Sequence, residues 1–206
     1  MRNERIVAAD KEEEEADKAK SMGSPIASRL FESRQIALYG AVDDELALKV
    51  SAQLLALEAA DPEAPITMIM NSPGGSVTDG FAIYDTIRFI QPKVRILCVG
   101  MAASIATVIL LAADKEDRLV LPNTKLLIHQ VFLPGVVRGQ ASDLEITAKD
   151  LLATRDRINE LYAEETGQPL DRIKKDTNRD YWMTAEEAVE YGLVHRIVRS
   201  RADLAG

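Results

Sequence analysis

The chain has 206 residues, enough for one domain whose core needs no disulfide or metal to hold it together. Acidic residues exceed basic ones by 33 to 25, and this net charge of −8 argues against a nucleic-acid-binding domain and against docking on anionic lipid. One cysteine and two histidines exclude an intramolecular disulfide, cysteine-based zinc sites and a site with three histidine ligands, so we expect no metal or other cofactor. No apolar run approaches the ~20 residues of a membrane span. We therefore expect a soluble, cytoplasmic protein without membrane contact.

The first 24 residues differ in composition from the rest. Residues 10–20 are dense in charge and almost free of bulky apolar side chains, and Pro25 follows a short Gly/Ser-containing stretch. Such a segment cannot bury enough surface to offset its ordering entropy, so residues 1–24 are predicted to be mobile and residues 25–206 to form one domain. Composition favours a solubilising tail. The alternative is a gate or docking arm that orders in an assembly.

Strands and helices are predicted to alternate along the domain, because short β-branched runs separate longer stretches of helical periodicity. In chain order we expect a strand at 36–40, a helix from Asp43 or Asp44 to about residue 60, a strand at 66–70, a helix at 78–90, a strand at 94–99, an apolar helix at 102–113, strands at 118–121 and 125–128, a long amphipathic helix at 140–165, a short helix capped by Thr184, and a final strand at 194–198. This order is typical of an α/β fold of repeated βαβ units with a largely parallel sheet.

Two turns between a strand and a helix are candidates for chemistry. In the first, Gly74 and Gly75 lack side chains, so their backbone N–H groups could approach a ligand, although a plain tight turn is the commoner explanation. In the second, Ser104 opens a helix, where unpaired N–H groups would stabilise negative charge. The alternative for Ser104 is a small residue where helix and sheet pack closely.

A nucleophilic serine needs a base and an acid that orients the base. The histidines are His129, at the end of an apolar strand and before a loop, and His195, inside the predicted last strand. Strand ends are where α/β folds place their sites, which favours His129. For the acid, spacing alone does not distinguish three candidates, which are Asp171, Asp176 and Asp180.

Several motifs in the right order give the chain a resemblance to the proteolytic subunits of Clp proteases (ClpP). They are Asn71-Ser-Pro-Gly-Gly75, Tyr84-Asp85, Gly100-Met-Ala-Ala-Ser104, Leu121-Pro-Asn123, Ile128-His-Gln130, Gly139-Gln-Ala141, Arg179-Asp180 and residues 185–193, within a match from Ile26 to Val198. The resemblance implies the ClpP/crotonase-like α/β fold with a protruding handle helix. It also implies a serine endopeptidase that cleaves peptides and unfolded proteins.

The resemblance assigns roles to individual residues. Ser104 would be the nucleophile, His129 the general base and Asp180 the orienting acid. The oxyanion hole would consist of the backbone N–H groups of Gly75 and Ile105. A substrate peptide would add as a strand between two segments of the chain, whose residues are Gly74, Ser76 and Val77 on one side and Gln130 and Val131 on the other.

Family members form two stacked seven-membered rings that enclose the active sites and work with an ATP-dependent AAA+ unfoldase. The helix at 140–165 would be the handle that joins the rings. Gln140 and Asp143 would lie near Arg179 of the facing ring. A second ClpP-type subunit is a further expected partner.

The chain departs from the family pattern at four places. The segment 1–24 does not resemble the usual axial loop, and residues 131–138 are about two residues longer than usual. Ile105 follows the nucleophile where methionine or a small residue is commoner. Thr67 and Ile69 stand where the family offers aromatic side chains to the unfoldase, although Phe89 is retained.

Two functions from different classes follow from these expectations. The first is a self-compartmentalised serine peptidase, which the presence of all three triad residues favours. The second is a ring subunit with a structural or regulatory role beside an active paralogue. An acyl-CoA hydratase of the same superfamily is disfavoured, because it should lack the three residues.

Overall fold

The computed structural model describes residues 25–132, 135 and 138–205. The predicted mobile segment 1–24 lies outside the described residues, as do four residues of the long loop after His129. The elements in chain order are α1 (residues 25–32), β1 (Gln35–Tyr39), α2 (Asp44–Ala60), β2 (Ile66–Ser72), α3 (Val77–Phe89), β3 (Val94–Ala103), α4 (Ile105–Leu110), β4 (Arg118–Val120), β5 (Lys125–Ile128), α5 (Ala141–Thr166), α6 (Leu170–Asp176), β6 (Tyr181–Met183), α7 (Ala185–Tyr191) and β7 (Arg196–Ile197).

One sheet of seven strands organises these elements. Its main path is β1-β2-β3-β4-β7, and every pair along that path is parallel. The ten-residue strand β3 pairs with β4 through Ile96–Cys98 and with β5 through Met101–Ala103. Only β6, which pairs with β5, runs antiparallel. The predicted α/β class with a largely parallel sheet is confirmed.

The two faces of the sheet are packed differently. On one face, buried aliphatic side chains such as Met68 and Ile96 join a cluster that includes residues of α2, α3 and α4. On the other face lies a smaller cluster around Leu97, Leu119 and Val198. Strand side chains alternate between faces, so the half-buried Thr67 and Ile69 of β2 belong to this second, thinly covered face.

Helix ends follow the capping residues of the sequence. Asp43 caps α2 by accepting a hydrogen bond from the Leu46 amide, and Thr184 forms the expected capping box with Glu187 at α7. The long helix α5 is preceded by Gln140 and ends at Gly167, whose φ of 75° is the left-handed conformation that terminates helices. These boundaries agree with the sequence to within one or two residues.

The helix predicted at 102–113 starts later in the structure than the sequence analysis expected. Strand β3 continues through Ala103, and the helix α4 is only Ile105–Leu110. The segment from β3 into α4 is buried on all sides, so its apolar residues carry no periodicity that separates strand from helix. The final strand is likewise shorter than predicted, since β7 is Arg196–Ile197. The helices α1 and α6 and the strand β6 were not predicted.

The long helix α5 divides into two halves. Its first half is exposed and includes Leu144, Ile146 and Leu152, which are 39%, 66% and 48% accessible. Its second half packs against the domain through Ile158 and Tyr162. The helix therefore protrudes, as predicted for a handle. No helix among the described residues is both long and apolar enough to cross a membrane.

Candidate active site

Ser104 occupies a strained corner between β3 and α4. Its φ of 58° and ψ of −128° are unusual for a residue with a Cβ, and such conformations cost about 1–3 kcal/mol. The surrounding backbone holds it: the Ser104 amide donates to the Leu127 carbonyl at 2.9 Å, and its carbonyl accepts from the Thr107 amide at 3.0 Å. A serine held in this way at a strand end is typical of a functional group rather than of packing.

A bulge in β3 carries the chain into this corner. Met70 of β2 pairs with Cys98 of β3, and Ser72 pairs with Ala102. The stretch from Cys98 to Ala102 is longer than the stretch of β2 that it faces. Within the bulge Gly100 has a φ of 65°, and the Asn71 side-chain oxygen accepts a hydrogen bond from the Met101 amide at 3.2 Å. Bulges of this kind re-aim the residues that follow them. Here the residue that follows is Ser104.

The turn with two glycines lies directly against Ser104. A Cβ on Gly74 would stand 2.7 Å from the Ser104 Cβ, so only glycine fits there. The Gly74 carbonyl accepts from the Val42 amide, and the Ser76 amide donates to the Val42 carbonyl. In such a parallel bridge the amide of the middle residue, Gly75, faces away from Val42. This amide and that of Ile105, the first residue of α4, are the donors predicted for the oxyanion hole.

His129 directly follows β5 and shares a cavity with Ser104. Its ring nitrogen Nδ1 lies 2.6 Å from the carbonyl oxygen of Gln130, and its ring packs 5.5 Å from that of Phe132. The other histidine, His195, is exposed beside β7 and does not line this cavity. Of the two histidines, His129 is thus the one that lines the same cavity as Ser104.

The pairing of β5 with β6 distinguishes the three candidate acids. Ile128 pairs with Tyr181, so the next position of this antiparallel register places Asp180 opposite His129. Asp176 instead accepts a hydrogen bond from the Tyr191 hydroxyl at 3.0 Å. Asp171 lies in the first turn of α6. Of the three candidates, Asp180 is therefore the one that adjoins the paired end of β5, next to His129.

The contact between acid and base is nevertheless not formed in this conformation. Asp180 is exposed, does not line the cavity, and within the described part of the chain makes no hydrogen bond or ion pair. The His129 nitrogen that such a contact would use faces the Gln130 carbonyl instead. The Gln130 side chain donates to the Asn178 carbonyl at 2.7 Å, two residues before Asp180. The structure therefore brings Ser104 and His129 together but leaves Asp180 aside.

The cavity has a volume of about 700 Å³ and mostly apolar walls. Two backbone segments flank Ser104, residues 75–78 and residues 129–132, which contain the predicted substrate-binding Ser76, Val77, Gln130 and Val131. The floor is made by α4 and by the buried half of α5. Among the described lining residues Asp150 is the only carboxylate. The shape suits an extended peptide with an apolar side chain.

The remaining predicted residues lie away from the cavity. Gln140 and Asp143 are exposed at the start of α5, and Arg179 is exposed with one hydrogen bond, to the Asn178 carbonyl. A single chain does not test their proposed contact with a facing ring. A cluster of three carboxylates at residues 114–117 could in principle hold a cation. It is already paired with Lys93 and Arg95, and it does not line the cavity.

Two buried residues beside the cavity were missed by the sequence analysis. Tyr162 of α5 lines the cavity, and Thr107 of α4 lies behind the lining residues. Their hydroxyl oxygens are 2.5 Å apart. The only signal in the sequence was a polar residue inside each of two apolar helix faces, and that is not specific.

Comparisons with known proteins identify the family of the chain. The family model described as Clp protease matches residues 18–201. A Rhizobium etli protein named ATP-dependent Clp protease proteolytic subunit 3 is 48% identical over 195 residues, which is 95% of this chain and 99% of that protein. Proteins of the same name from Rhizobium johnstonii and Rhizobium meliloti are 48% and 47% identical over 195 residues, covering 95% of this chain and 99% and 98% of those proteins. The chain therefore belongs to the Clp protease family.

Proposed function

We propose that this chain is the proteolytic subunit of a Clp-type protease, a serine peptidase that cleaves peptides and unfolded proteins inside an oligomeric chamber. The observation that carries the proposal is Ser104, held at positive φ against Gly74 and sharing an apolar cavity with His129. Strain of this kind is kept where a nucleophile must be presented.

In the proposed reaction the Ser104 oxygen attacks the carbonyl carbon of the scissile peptide bond. His129 Nε2 takes the serine proton and then passes it to the leaving amine, which leaves an acyl group on Ser104. Water, deprotonated by His129, hydrolyses the acyl group and restores the serine. The Gly75 and Ile105 amides donate to the oxygen that becomes negative at each tetrahedral step.

Asp180 acts on the far side of the imidazole. A carboxylate that accepts a hydrogen bond from Nδ1–H fixes the tautomer in which Nε2 is the base. In the structure Nδ1 faces the Gln130 carbonyl, so activation requires the Gln130–Asn178 region to move until Asp180 replaces that carbonyl. The pairing of Ile128 with Tyr181 supports this step, because His129 and Asp180 are the next residues along the two strands.

The substrate is proposed to bind as an added strand between residues 74–77 and 130–131. Main-chain hydrogen bonds would supply most of the affinity, and the apolar cavity would take one side chain of the peptide. This mode tolerates many sequences, which suits a protease for unfolded proteins.

Assembly into two stacked seven-membered rings is part of the proposal. The exposed apolar side chains on the first half of α5 would be covered by the facing ring, with Gln140 and Asp143 near its Arg179. An unfoldase of the AAA+ class would deliver substrate. The proposed location of this assembly is the cytoplasm.

Docking of the unfoldase is the part of the proposal with least support. Thr67 and Ile69 offer small contact areas on the thinly covered face of the sheet, whereas Phe89 is 82% exposed. We propose that the homo-oligomer docks a partner weakly. A second ClpP-type subunit, or an unfoldase with an altered loop, would complete the surface.

The second candidate function is a ring subunit that acts mainly as a structural or regulatory partner of an active paralogue. One observation favours it, which is that Asp180 is exposed while His129 Nδ1 faces Gln130. If that arrangement persisted in the assembly, the chain would contain the triad residues without a working triad.

The test is hydrolysis of a fluorogenic peptide by the purified oligomer and by its Ser104→Ala variant. We expect the variant to keep its assembly and to lose activity by roughly 10⁴-fold or more. The matched control is Ser200→Ala, an exposed serine outside the cavity, which should leave the rate unchanged. Activity of Ser104→Ala at the wild-type rate would overturn the proposal. An inactive wild-type oligomer that activates a paralogue would support the second function.

A further inference from the structure

A short series of hydrogen bonds runs from Tyr162, which lines the cavity, through the buried Thr107 to Ser104. The Thr107 side-chain oxygen lies 2.6 Å from the Ser104 carbonyl oxygen and 2.5 Å from the Tyr162 hydroxyl oxygen. Thr107 is 0% exposed and Tyr162 is 1% exposed, so both hydroxyls are out of contact with bulk solvent. Buried hydroxyls of this kind are expensive unless paired, and here both are.

The chemistry of the three groups determines which of them donates in each hydrogen bond. The Ser104 carbonyl can only accept, so the Thr107 hydroxyl donates to it, and its single proton is then committed. The Tyr162 hydroxyl must therefore donate to Thr107. Burial raises the pKa of Tyr162 well above its ordinary value, so this donor keeps its proton at any pH at which the protein would work.

The hydrogen bond from Thr107 to the Ser104 carbonyl restrains the backbone angle that orients the nucleophile. The ψ angle of Ser104, −128°, sets where its carbonyl points, and two groups of Thr107 hold that carbonyl: the amide at 3.0 Å and the hydroxyl at 2.6 Å. Tyr162 is anchored in the buried half of α5. It thus links the long helix to the strained backbone of the serine.

We infer that the Tyr162 hydroxyl is a positioning group for the nucleophile, acting through Thr107 on the backbone of Ser104. The inference rests on the proposed function, in which Ser104 attacks the substrate. Tyr162 itself touches no reacting atom. Hydrogen bonds in such a chain strengthen one another, so loss of the outer donor weakens the hold of Thr107 on the Ser104 carbonyl.

The experiment compares the oligomers of wild type and Tyr162→Phe, which removes one oxygen and keeps the ring. Steady-state hydrolysis of a fluorogenic peptide gives kcat and KM, and the rate of reaction with a fluorophosphonate probe reports the nucleophile directly. We expect kcat and the probe rate to fall about three- to tenfold, with KM unchanged, since one neutral hydrogen bond is lost.

Two further variants test the route through Thr107. Thr107→Ser keeps the hydroxyl and should retain activity, whereas the nearly isosteric Thr107→Val removes both hydrogen bonds and should lose at least as much as Tyr162→Phe. The double variant should lose no more than Thr107→Val alone, because both changes interrupt the same series of hydrogen bonds. A fully additive loss in the double variant would overturn the inference.

Tyr191→Phe is the matched control, since it removes another buried tyrosine hydroxyl with one hydrogen bond, to Asp176 at 3.0 Å. It should leave kcat unchanged. Equal losses in both tyrosine variants would show a general structural effect and overturn the inference, as would an unchanged kcat in Tyr162→Phe or a change confined to KM. Failure of the proposed function is recognised separately, because Ser104→Ala would then remain active.

Discussion

The two sides of the active site are built to different degrees. On the nucleophile side, Ser104 is held by backbone hydrogen bonds, by the close approach of Gly74 and by the bulge in β3. On the base side, His129 Nδ1 faces the Gln130 carbonyl, and Asp180 is exposed. One side is complete within a single chain, whereas the other still has a contact to form.

The difference lies in what surrounds each side. The nucleophile side is enclosed by the parallel strands β2, β3 and β5, which are mostly buried, and by α4, which is buried throughout. The base side adjoins the start of the antiparallel strand β6, where Arg179, Asp180 and Trp182 are exposed. We propose that contacts in the ring assembly complete the base side. The nucleophile side would need no such contacts.

The largest effect should come from the base side. Asp180→Asn keeps the size of the side chain but cannot hold His129 in the tautomer that makes Nε2 a base, so we expect the peptidase rate to fall by roughly 10⁴-fold. Asp176→Asn is the matched control, since Asp176 pairs with Tyr191 and Arg172, and should keep most of the activity. A larger loss in Asp176→Asn than in Asp180→Asn would show that register identified the wrong acid.

On the nucleophile side, Gly74→Ala should lower kcat by about 10²-fold. The added Cβ would lie 2.6 Å from the Ala103 carbonyl oxygen and 2.7 Å from the Ser104 Cβ, so the serine must shift. Gly40→Ala is the control, because Gly40 has a similar φ of 95° but nothing within 4 Å of the added atom. Similar losses of activity in the two variants would mean that backbone strain, and not contact with Ser104, is responsible.

How much of this could be predicted from the sequence depends on how local each feature is. The caps at Asp43 and Thr184 and the end of α5 at Gly167 are set by neighbouring residues, and the sequence analysis placed them within one or two positions. The motifs around Ser104 and His129 identified the site through the family resemblance. Local pattern and motif were sufficient for these features.

Features set by distant parts of the chain could not be predicted. The end of β3 was missed because its residues are buried on both faces and show no periodicity. The pairing of β5 with β6, which favours Asp180 among the candidate acids, joins segments about 50 residues apart. The spacing of residues in the sequence does not indicate such a pairing. The bond between Thr107 and Tyr162 joins residues 55 positions apart for the same reason.

A change on the exposed half of α5 should affect the base side through assembly. Ile146→Asp places a charge where an apolar side chain, 66% exposed in the single chain, is proposed to be covered by the facing ring. We expect mass photometry to show smaller oligomers and peptidase activity to fall severalfold with them. Ile146→Val keeps the apolar character and should keep both. A fully active monomer would contradict the proposed role of assembly.

The smallest effect should concern the docking face. Ile69→Tyr adds an aromatic ring to the thinly covered face of the sheet, which adds contact worth of order 1 kcal/mol at each site. ATP-dependent degradation with the host unfoldase should rise severalfold, and hydrolysis of short peptides without the unfoldase should not change. Efficient degradation by the unchanged homo-oligomer would contradict the proposed weak docking.

The central claim is that Ser104 is a nucleophile presented by its own chain. The most direct measurement is mass-spectrometric mapping of a fluorophosphonate adduct on the purified oligomer at neutral pH, for wild type and for Ser104→Ala. The account predicts an adduct on the peptide that contains Ser104 in the wild type and none in the variant. An adduct of equal yield in the variant, or peptide hydrolysis by a wild-type protein that forms no adduct at Ser104, would contradict it.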